Sequence, residues 1–493
     1  MTREDRALQL VRLSTGVEGL DAVLSGGIPE RSITVVSGEP GSGKTVLALQ
    51  MLFHAARQGK RSLYFTTLSE PSLKLVRHMQ GFRFFDARLL DERIHIVDLG
   101  SALRAHDPET ALATVAERVE KSEPDLVVID SFKALHDLAG QPLQARTLTY
   151  DLAVQMASWG ATTLLVGEYG AGDVGQLPEF AIADGILRLG TAPHEMTRVR
   201  ELEVQKLRGA GFVPGIHLFE INQDGVVFFP RVSSPAVPAA EPAPGSARAP
   251  LSTGVAQLDA LLRGGLPPAS STTLMGGTGT GKTLLGLHFL VEGARRGEPG
   301  VLFTLEETPD QLRDIASKFP FGFAALEQKG LLHIRYAAPI ELSTDRFLHE
   351  ARRDVERFGA KRVVVDSLTS LALGAISERR HRELVYALAK HLRGAGVTLV
   401  MTLEISELLG SGRLSGHGVS FASDNVVQLR YLELGGRLDR ANSVIKARGV
   451  DASTELRGMT IGPRGVEVSE RSPFKDLRGV LTGLPVGSGK STS

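Results

Sequence analysis

The sequence predicts an α/β fold built twice: two tandem domains, each a mostly parallel sheet with helices on both faces. Three observations carry this. Short apolar, β-rich runs alternate with helical stretches, the pattern of a sheet buried on both sides. In each half a Gly-rich loop joins such a run to a helix, "GEPGSGKT" (38–45) and "GGTGTGKT" (276–283). The first half of the chain also returns in the second at a nearly constant offset.

In the first half, "SITVVSG" (32–38) is the apolar run that enters the loop. "TVLALQMLFHAARQG" (45–59) has helical spacing and stops at a glycine. "SLYFTTL" (62–68), "DLVVID" (125–130) and "TTLLVGE" (162–168) read as further strands, separated by helical stretches. The repeat then supplies the second domain. "LSTGVEGLDAVLSGGIPE" (13–30) returns as "LSTGVAQLDALLRGGLPP" (251–268), and Lys44 to Lys282 steps by 238. "LVVIDSFKAL" (126–135) returns as "RVVVDSLTSL" (362–371), and "EVQKLRG" (203–209) as "SVIKARG" (443–449). A period this long means duplicated domains, not solenoid units. Between the copies, "RVSSPAVPAAEPAPGSARAP" (231–250) is too rich in Pro, Ala and Ser to form a core and reads as a semi-rigid linker. The expected domains are residues 1–230 and 251–475, with a flexible tail over 476–493.

Lys+Arg and Asp+Glu number 56 each, so no global field draws the chain to nucleic acid or an acidic membrane. The absence of cysteine excludes disulfides and thiolate chemistry. The charged start "MTREDRALQLVRL" does not read as a signal peptide, and no long apolar run suggests a membrane span. A cytoplasmic protein is expected.

The G-x-x-x-x-G-K-[ST] pattern between a strand and a helix is a phosphate loop. Its backbone amides wrap phosphate oxygens, its Lys reaches the β and γ oxygens, and its hydroxyl meets Mg²⁺. Gly38, Gly41, Ser42, Gly43, Lys44 and Thr45 form the first such site, and Gly276, Gly279, Thr280, Gly281, Lys282 and Thr283 the second. The implied ligands are ATP and Mg²⁺. Asp130 and Asp366, ending apolar runs about 85 residues later, join Thr45 and Thr283 as the metal-facing groups. A third look-alike, "LPVGSGKSTS" (484–493), lacks the first glycine and a preceding strand, and so reads as tail.

Glu306 and Glu307 follow the run "VLFTL" (301–305), where a carboxylate beside the γ-phosphate would orient or deprotonate the attacking water or hydroxyl. Neighbouring side chains on extended backbone point apart, so one of the pair would act and the other support it. The first domain has Leu68 and Ser69 there, with Glu70 one residue late. It is expected to bind ATP and hydrolyse it poorly. Late in each domain, Lys206 with Arg208 and Lys446 with Arg448 are cations suited to a phosphate of a neighbouring subunit. Glu168 and Glu404 end the strands after the Asp strands.

These motifs together (S-T-G…L-D…G-G-[IL]-P, the phosphate loop, I-D-S or V-D-S, then K-x-R-G, twice over) resemble the KaiC family, ATPases and autokinases with two RecA-like P-loop NTPase domains. The resemblance covers nearly the whole chain, and "FTLEETP" (303–309) is its most specific segment. It implies a hexamer of two stacked rings with ATP between subunits, a first ring that is the ATPase and a second that autophosphorylates. On this likeness Glu306 and Glu307 match the catalytic glutamates of the second ring, and Lys206, Arg208, Lys446 and Arg448 the interface cations. Two departures stand out. The first-ring glutamates are missing, and the phosphorylated Ser-Thr pair falls on Ser420 and Phe421, leaving Ser420 as the candidate phosphosite, with Ser415 and Ser423 nearby. The leading reading is an ATPase and Ser/Thr autokinase in signalling or timing, with itself and possible signalling proteins as partners. A DNA-dependent ATPase of the RecA type, and a nucleotide-gated scaffold without kinase activity, are the alternatives.

Overall fold

The computed structural model describes all residues except 1–10, 68–71, 101–107, 139–141, 171, 195–196, 232–248, 339–342, 376, 406–421, 435–436, 475–476, 479–485 and 488–493. The chain divides into two compact units, Met1–Arg231 and Val232–Ser493. Each is built on a nine-stranded sheet.

In the first unit the strands are β1 (Ile33–Gly38), β2 (Ser62–Thr66), β3 (Ile94–Asp98), β4 (Leu126–Asp130), β5 (Thr162–Glu168), β6 (Gly185–His194), β7 (Thr197–Leu207), β8 (Ile216–Asn222) and β9 (Gly225–Phe229). Their order across the sheet is β9-β8-β7-β6-β1-β5-β4-β2-β3. The six from β3 to β6 are parallel, and β7, β8 and β9 add an antiparallel meander.

The second unit repeats this with β10 (Ser271–Gly276), β11 (Gly300–Thr304), β12 (Leu332–Tyr336), β13 (Arg362–Asp366), β14 (Thr398–Glu404), β15 (Asn425–Leu434), β16 (Arg437–Ala447), β17 (Arg457–Gly462) and β18 (Gly465–Val468). The order is β12-β11-β13-β14-β10-β15-β16-β17-β18. The two units are therefore RecA-like α/β domains, mostly parallel, with an antiparallel end that the apolar runs did not distinguish from the rest.

Successive residues of the central strands enter different cores, which is why these strands read as unbroken apolar runs. Val36, Val128 and Leu164 pack with the helix Lys44–Arg57 on one face; Val35, Ile129 and Leu165 pack with Val115 and Leu152 on the other. In the second unit Val364 and Val400 face the helix Lys282–Arg295, while Val363 and Met401 face Leu348 and Leu388. Burying a side chain of this size contributes roughly 1.5–3 kcal/mol, so both helix layers are needed to seat the sheet.

The repeated S-T-G…L-D motif is a structural clasp. Ser14 Oγ donates to Asp21 Oδ2 at 2.7 Å and Thr15 Oγ1 to Asp21 Oδ1 at 2.6 Å. Ser252 Oγ and Thr253 Oγ1 hold Asp259 in the same way at 2.5 and 2.6 Å. Arg362 has no counterpart in the first unit. Its side chain is 0% exposed, donates to Glu298 Oε2 at 2.7 Å and Phe289 O at 2.9 Å, and lies against Gly293, where a Cβ would come within 2.3 Å of its Cδ. The matching residues of the first unit are Leu126 and Ala55.

Within the expected tail, Leu477–Arg478 pairs antiparallel with Val486–Gly487, and the rest of "LPVGSGKSTS" lies outside the described residues. Among the described residues no helix is long and apolar enough to cross a membrane.

Candidate phosphoryl-transfer site

Each Gly-rich loop leaves the C-terminal end of the central parallel strand, β1 or β10, and ends in a helix. This is where open α/β sheets bind ligands. Gly43 (φ 96°) and Gly281 (φ 101°) cap those helices in the left-handed region, which turns the first helical amides toward the loop's hollow. The Ser42 and Thr280 side chains are buried, and Thr280 Oγ1 donates to Gly277 O at 2.8 Å. Any phosphate contact from these two residues is left to their backbone amides. Lys44 Nζ donates to Glu39 O at 2.8 Å, and Lys282 Nζ to Gly276 O and Gly277 O at 3.0 and 2.9 Å. Burial lowers the pKa of both lysines, and nearby carboxylates oppose it: Glu168, Asp130 and Glu39 around Lys44, and Glu404, Asp366, Glu306 and Glu307 around Lys282. Among the described residues, Glu306 and Glu307 surround only Lys282, and Glu39 only Lys44.

Strand register sets these carboxylates side by side. Gly276 pairs with Glu404, and Thr304 with Asp366; Gly38 pairs with Glu168, and Thr66 with Asp130. Thr278 Oγ1 also donates to Glu404, joining loop and strand end.

Glu306 and Glu307 are held differently. Glu306 Oε1 accepts from Ser367 Oγ and Ser370 Oγ, both at 2.5 Å, at the start of the helix Leu368–Leu373. The Glu307 backbone carbonyl accepts from Thr304 Oγ1 at 2.7 Å, and Thr308 then opens the helix Pro309–Ser317 with a capping box. Both neighbours of Glu307 are thus pinned, while its carboxylate oxygen Oε2 is buried with no hydrogen-bond partner among the described residues. Burial first, then the charges of Asp366 and Glu306, push the Glu307 carboxyl above the usual range. The counterparts Leu68 and Ser69 lie outside the described residues.

Asp366 is buried at the end of β13. Burial pushes its carboxyl above the usual range, opposed by hydrogen bonds from Thr283 and from Thr402, which donates to Oδ1. Its Oδ2 is buried without a partner among the described residues. A cation-bound water beside the Thr283 hydroxyl would satisfy that oxygen, so these residues fit Mg²⁺. In the first unit Thr45 Oγ1 donates to Asp130 Oδ2 at 2.7 Å, and Tyr64 OH reaches the same oxygen at 2.8 Å.

The late cations are not brought to their own loop. Lys206 is level with Val35 through Ile186, and Lys446 with Thr273 through Val426. Each is thus about 10 Å back along the central strand and about 10 Å across the sheet. A register shift precedes each Lys, between Ile186/Leu187 and Val426/Val427, and bulges of this kind re-aim side chains. Lys206 Nζ donates to Phe180 O at 3.4 Å and Lys446 Nζ to Ser423 O at 2.8 Å. Arg208 and Arg448 lie 3.6 and 3.9 Å from Asp184 and Asp424.

Ser423, 1% exposed and bonded to Thr273 Oγ1 at 2.6 Å, is no accessible phosphate acceptor. Ser415, Ser420 and Phe421 lie outside the described residues. Sequence reasoning missed Tyr64, Ser367, Ser370, Thr278 and Thr402, which hold the carboxylates. The only signal they offered was position at or beside strand ends.

A phosphate-cradling loop at the carboxyl edge of a parallel sheet, with an acidic strand end beside it, makes each unit a P-loop nucleotide-binding domain of the RecA-like class. Comparison with known proteins narrows the class. A family described as "ATPase: KaiC" matches residues 13–233 and 251–472, and the chain belongs to this KaiC family of ATPases. The chain is 29% identical to the circadian clock oscillator protein KaiC of Acaryochloris marina over 489 residues, covering 97% of this chain and 92% of that one. Its identity to the protein of the same name from Picosynechococcus is 28% over 485 residues, 96% and 92% of the two chains. For the Thermostichus vulcanus protein it is 29% over 498 residues, 98% and 93%.

Proposed function

We propose that the second unit carries out ATP-dependent phosphoryl transfer while the first holds nucleotide as part of an assembled hexamer. The observation that carries this reading is the asymmetric glutamate pair: Glu306 tethered by two serine hydroxyls, and Glu307 with a buried, unpartnered oxygen and a raised pKa. Lys282 and the loop amides hold the β and γ oxygens of ATP. Glu307 takes the proton from the attacking hydroxyl, of water or of Ser420, as the bond from the γ-phosphorus to the ADP oxygen breaks. Glu306 keeps Glu307 and the nucleophile in line. Thr283 and Asp366 would hold Mg²⁺, which would supply neutralisation of phosphate charge. Lys446 and Arg448 serve the site of the next copy, since they lie far from their own loop, and Lys206 and Arg208 do the same for the first unit. Thr45 and Asp130 stand in the places of Thr283 and Asp366 there. In this reading the chain is a cytoplasmic ATPase and Ser/Thr autokinase used in signalling or timing.

The test is intact-mass and peptide mass spectrometry after incubation with Mg-ATP, beside Glu307→Gln. Phosphate on Ser420 that is absent from the variant establishes the autokinase. ATP consumption without phosphate on either sample leaves an ATPase alone, and ATP consumption equal in both samples overturns the role of Glu307.

A further inference from the structure

The two strand-end aspartates are held from opposite sides. In the second unit the donor is Thr402 on β14, and it engages Asp366 Oδ1, leaving Oδ2 buried and unpartnered among the described residues. In the first unit the donor is Tyr64 on β2, and it engages Asp130 Oδ2 together with Thr45. Register makes the exchange explicit. Tyr64 pairs with Val128 as Leu302 pairs with Val364, so Tyr64 stands in the place of Leu302. Val166 pairs with Val36 as Thr402 pairs with Leu274, so the Thr402 hydroxyl has no equivalent on β5. The donor has moved from one flanking strand to the other, and in the first unit it shares its oxygen with the loop hydroxyl of Thr45.

A carboxylate oxygen has two lone pairs. On Asp130 Oδ2 both are taken, one by Thr45 and one by Tyr64. A metal-bound water also approaches such an oxygen as a donor, so the phenol competes with it for the same lone pair. Tyr64 is 1% exposed and packs in the core beneath the loop helix, so it has no room to swing aside.

We propose that Tyr64 is a positioning residue that withholds Asp130 from a divalent cation, so that the first unit retains its nucleotide with little dependence on Mg²⁺ while the second depends on it. This rests on the reading of the first unit as a nucleotide holder. A site that holds nucleotide without turning it over gains nothing from a metal poised for phosphoryl transfer. Freedom from the metal keeps it loaded as Mg²⁺ varies.

The test uses the full chain with one loop disabled at a time: Lys282→Ala to report the first unit and Lys44→Ala to report the second. A fluorescent ATP analogue is titrated in Mg²⁺ and in EDTA. Removing the metal is expected to weaken the first unit by less than about threefold and the second by about tenfold or more, a difference of at least about 0.7 kcal/mol. In the Lys282→Ala chain, Tyr64→Phe keeps the ring in the core, removes the hydroxyl and should give the first unit the metal dependence of the second. Adding Val166→Thr should complete the change. Nucleotide retention with equal metal dependence in both units, or a Tyr64→Phe chain whose dependence is unchanged, overturns the assignment of Tyr64. No retention by the first unit in either condition overturns the nucleotide-holder reading itself, and this proposal with it.

Discussion

A carboxylate becomes a better base when its charge is poorly solvated, and Glu307 meets that condition by burial and by the charges of Asp366 and Glu306. The base works only when deprotonated. Turnover by the second unit should therefore fall as pH drops through a value above the usual carboxylate range, and Glu307→Gln should lose both the rate and this acid limb. Ser370→Ala, which removes one of two hydroxyls on Glu306, should lower kcat about threefold to tenfold, the worth of one hydrogen bond, with KM unchanged. A pH–rate profile of the three proteins checks this, and an unchanged kcat in Ser370→Ala would show that the tether is idle. The first unit has Ala134 four residues after Asp130, where Ser370 follows Asp366 by the same count. The glutamate pair and one of its two tethering serines are missing together, while Ser131 keeps the place of Ser367. The glutamates themselves were legible because they follow a strand next to a motif. The hydroxyls that separate their roles were not, since Ser370 lies 64 residues from Glu306 and only folding joins them.

One element shows how a repeated contact can carry different chemistry. On the helix Lys282–Arg295, His288 Nε2 accepts from Val466 N at 2.9 Å. Gln50, on the matching helix of the first unit, accepts from Val226 N at 2.8 Å through Oε1. Burial, aided by Arg295, lowers the His288 pKa from 6.5 to about 4. The unfolded chain therefore takes up this proton first. The stability it confers is full above pH 6.5, declines below that, and is gone below about pH 4, a total loss of about 3 kcal/mol. Denaturant unfolding of the second unit at pH 7 and pH 5 should show the decline, and His288→Gln should flatten it. An equal decline in the variant would place the effect elsewhere. The strands and helices around the loops were legible because their apolar runs and glycine stops are local. Strand direction was not: the runs after β6 and β15 look like those before them, yet they turn antiparallel and carry the late cations away from their own phosphate loop.

For the whole molecule, the separation of loop and cations within one unit gives a test of assembly. If Arg448 serves the loop of the next copy, Lys282→Ala and Arg448→Ala chains are each inactive alone but complement each other. In a randomly mixed ring of equal parts, one interface in four joins an intact loop to an intact cation, so about a quarter of the wild-type rate should return. A mixture as inactive as its parts would refute the shared site. The duplication was plain from sequence because whole motifs recur. The difference between the two sites was visible only in part, through Leu68 and Ser69, since the transfer of the Asp130 contact to Tyr64 leaves no motif behind.

The close fit of Arg362 against Gly293 also constrains the order in which this chain can change. The two units hold the same place with different pairs, Leu126 with Ala55 and Arg362 with Gly293. One-step routes between the pairs run through two hybrids. Alanine beside arginine puts a Cβ within 2.3 Å of the guanidinium stem, so the buried arginine would have to shift. Glycine beside leucine costs only about 1 kcal/mol of helix propensity and a small void. The route that places the glycine before the arginine is therefore the easier one, and a chain now carrying Arg362 regains the alanine only by displacing the arginine from its hydrogen bonds.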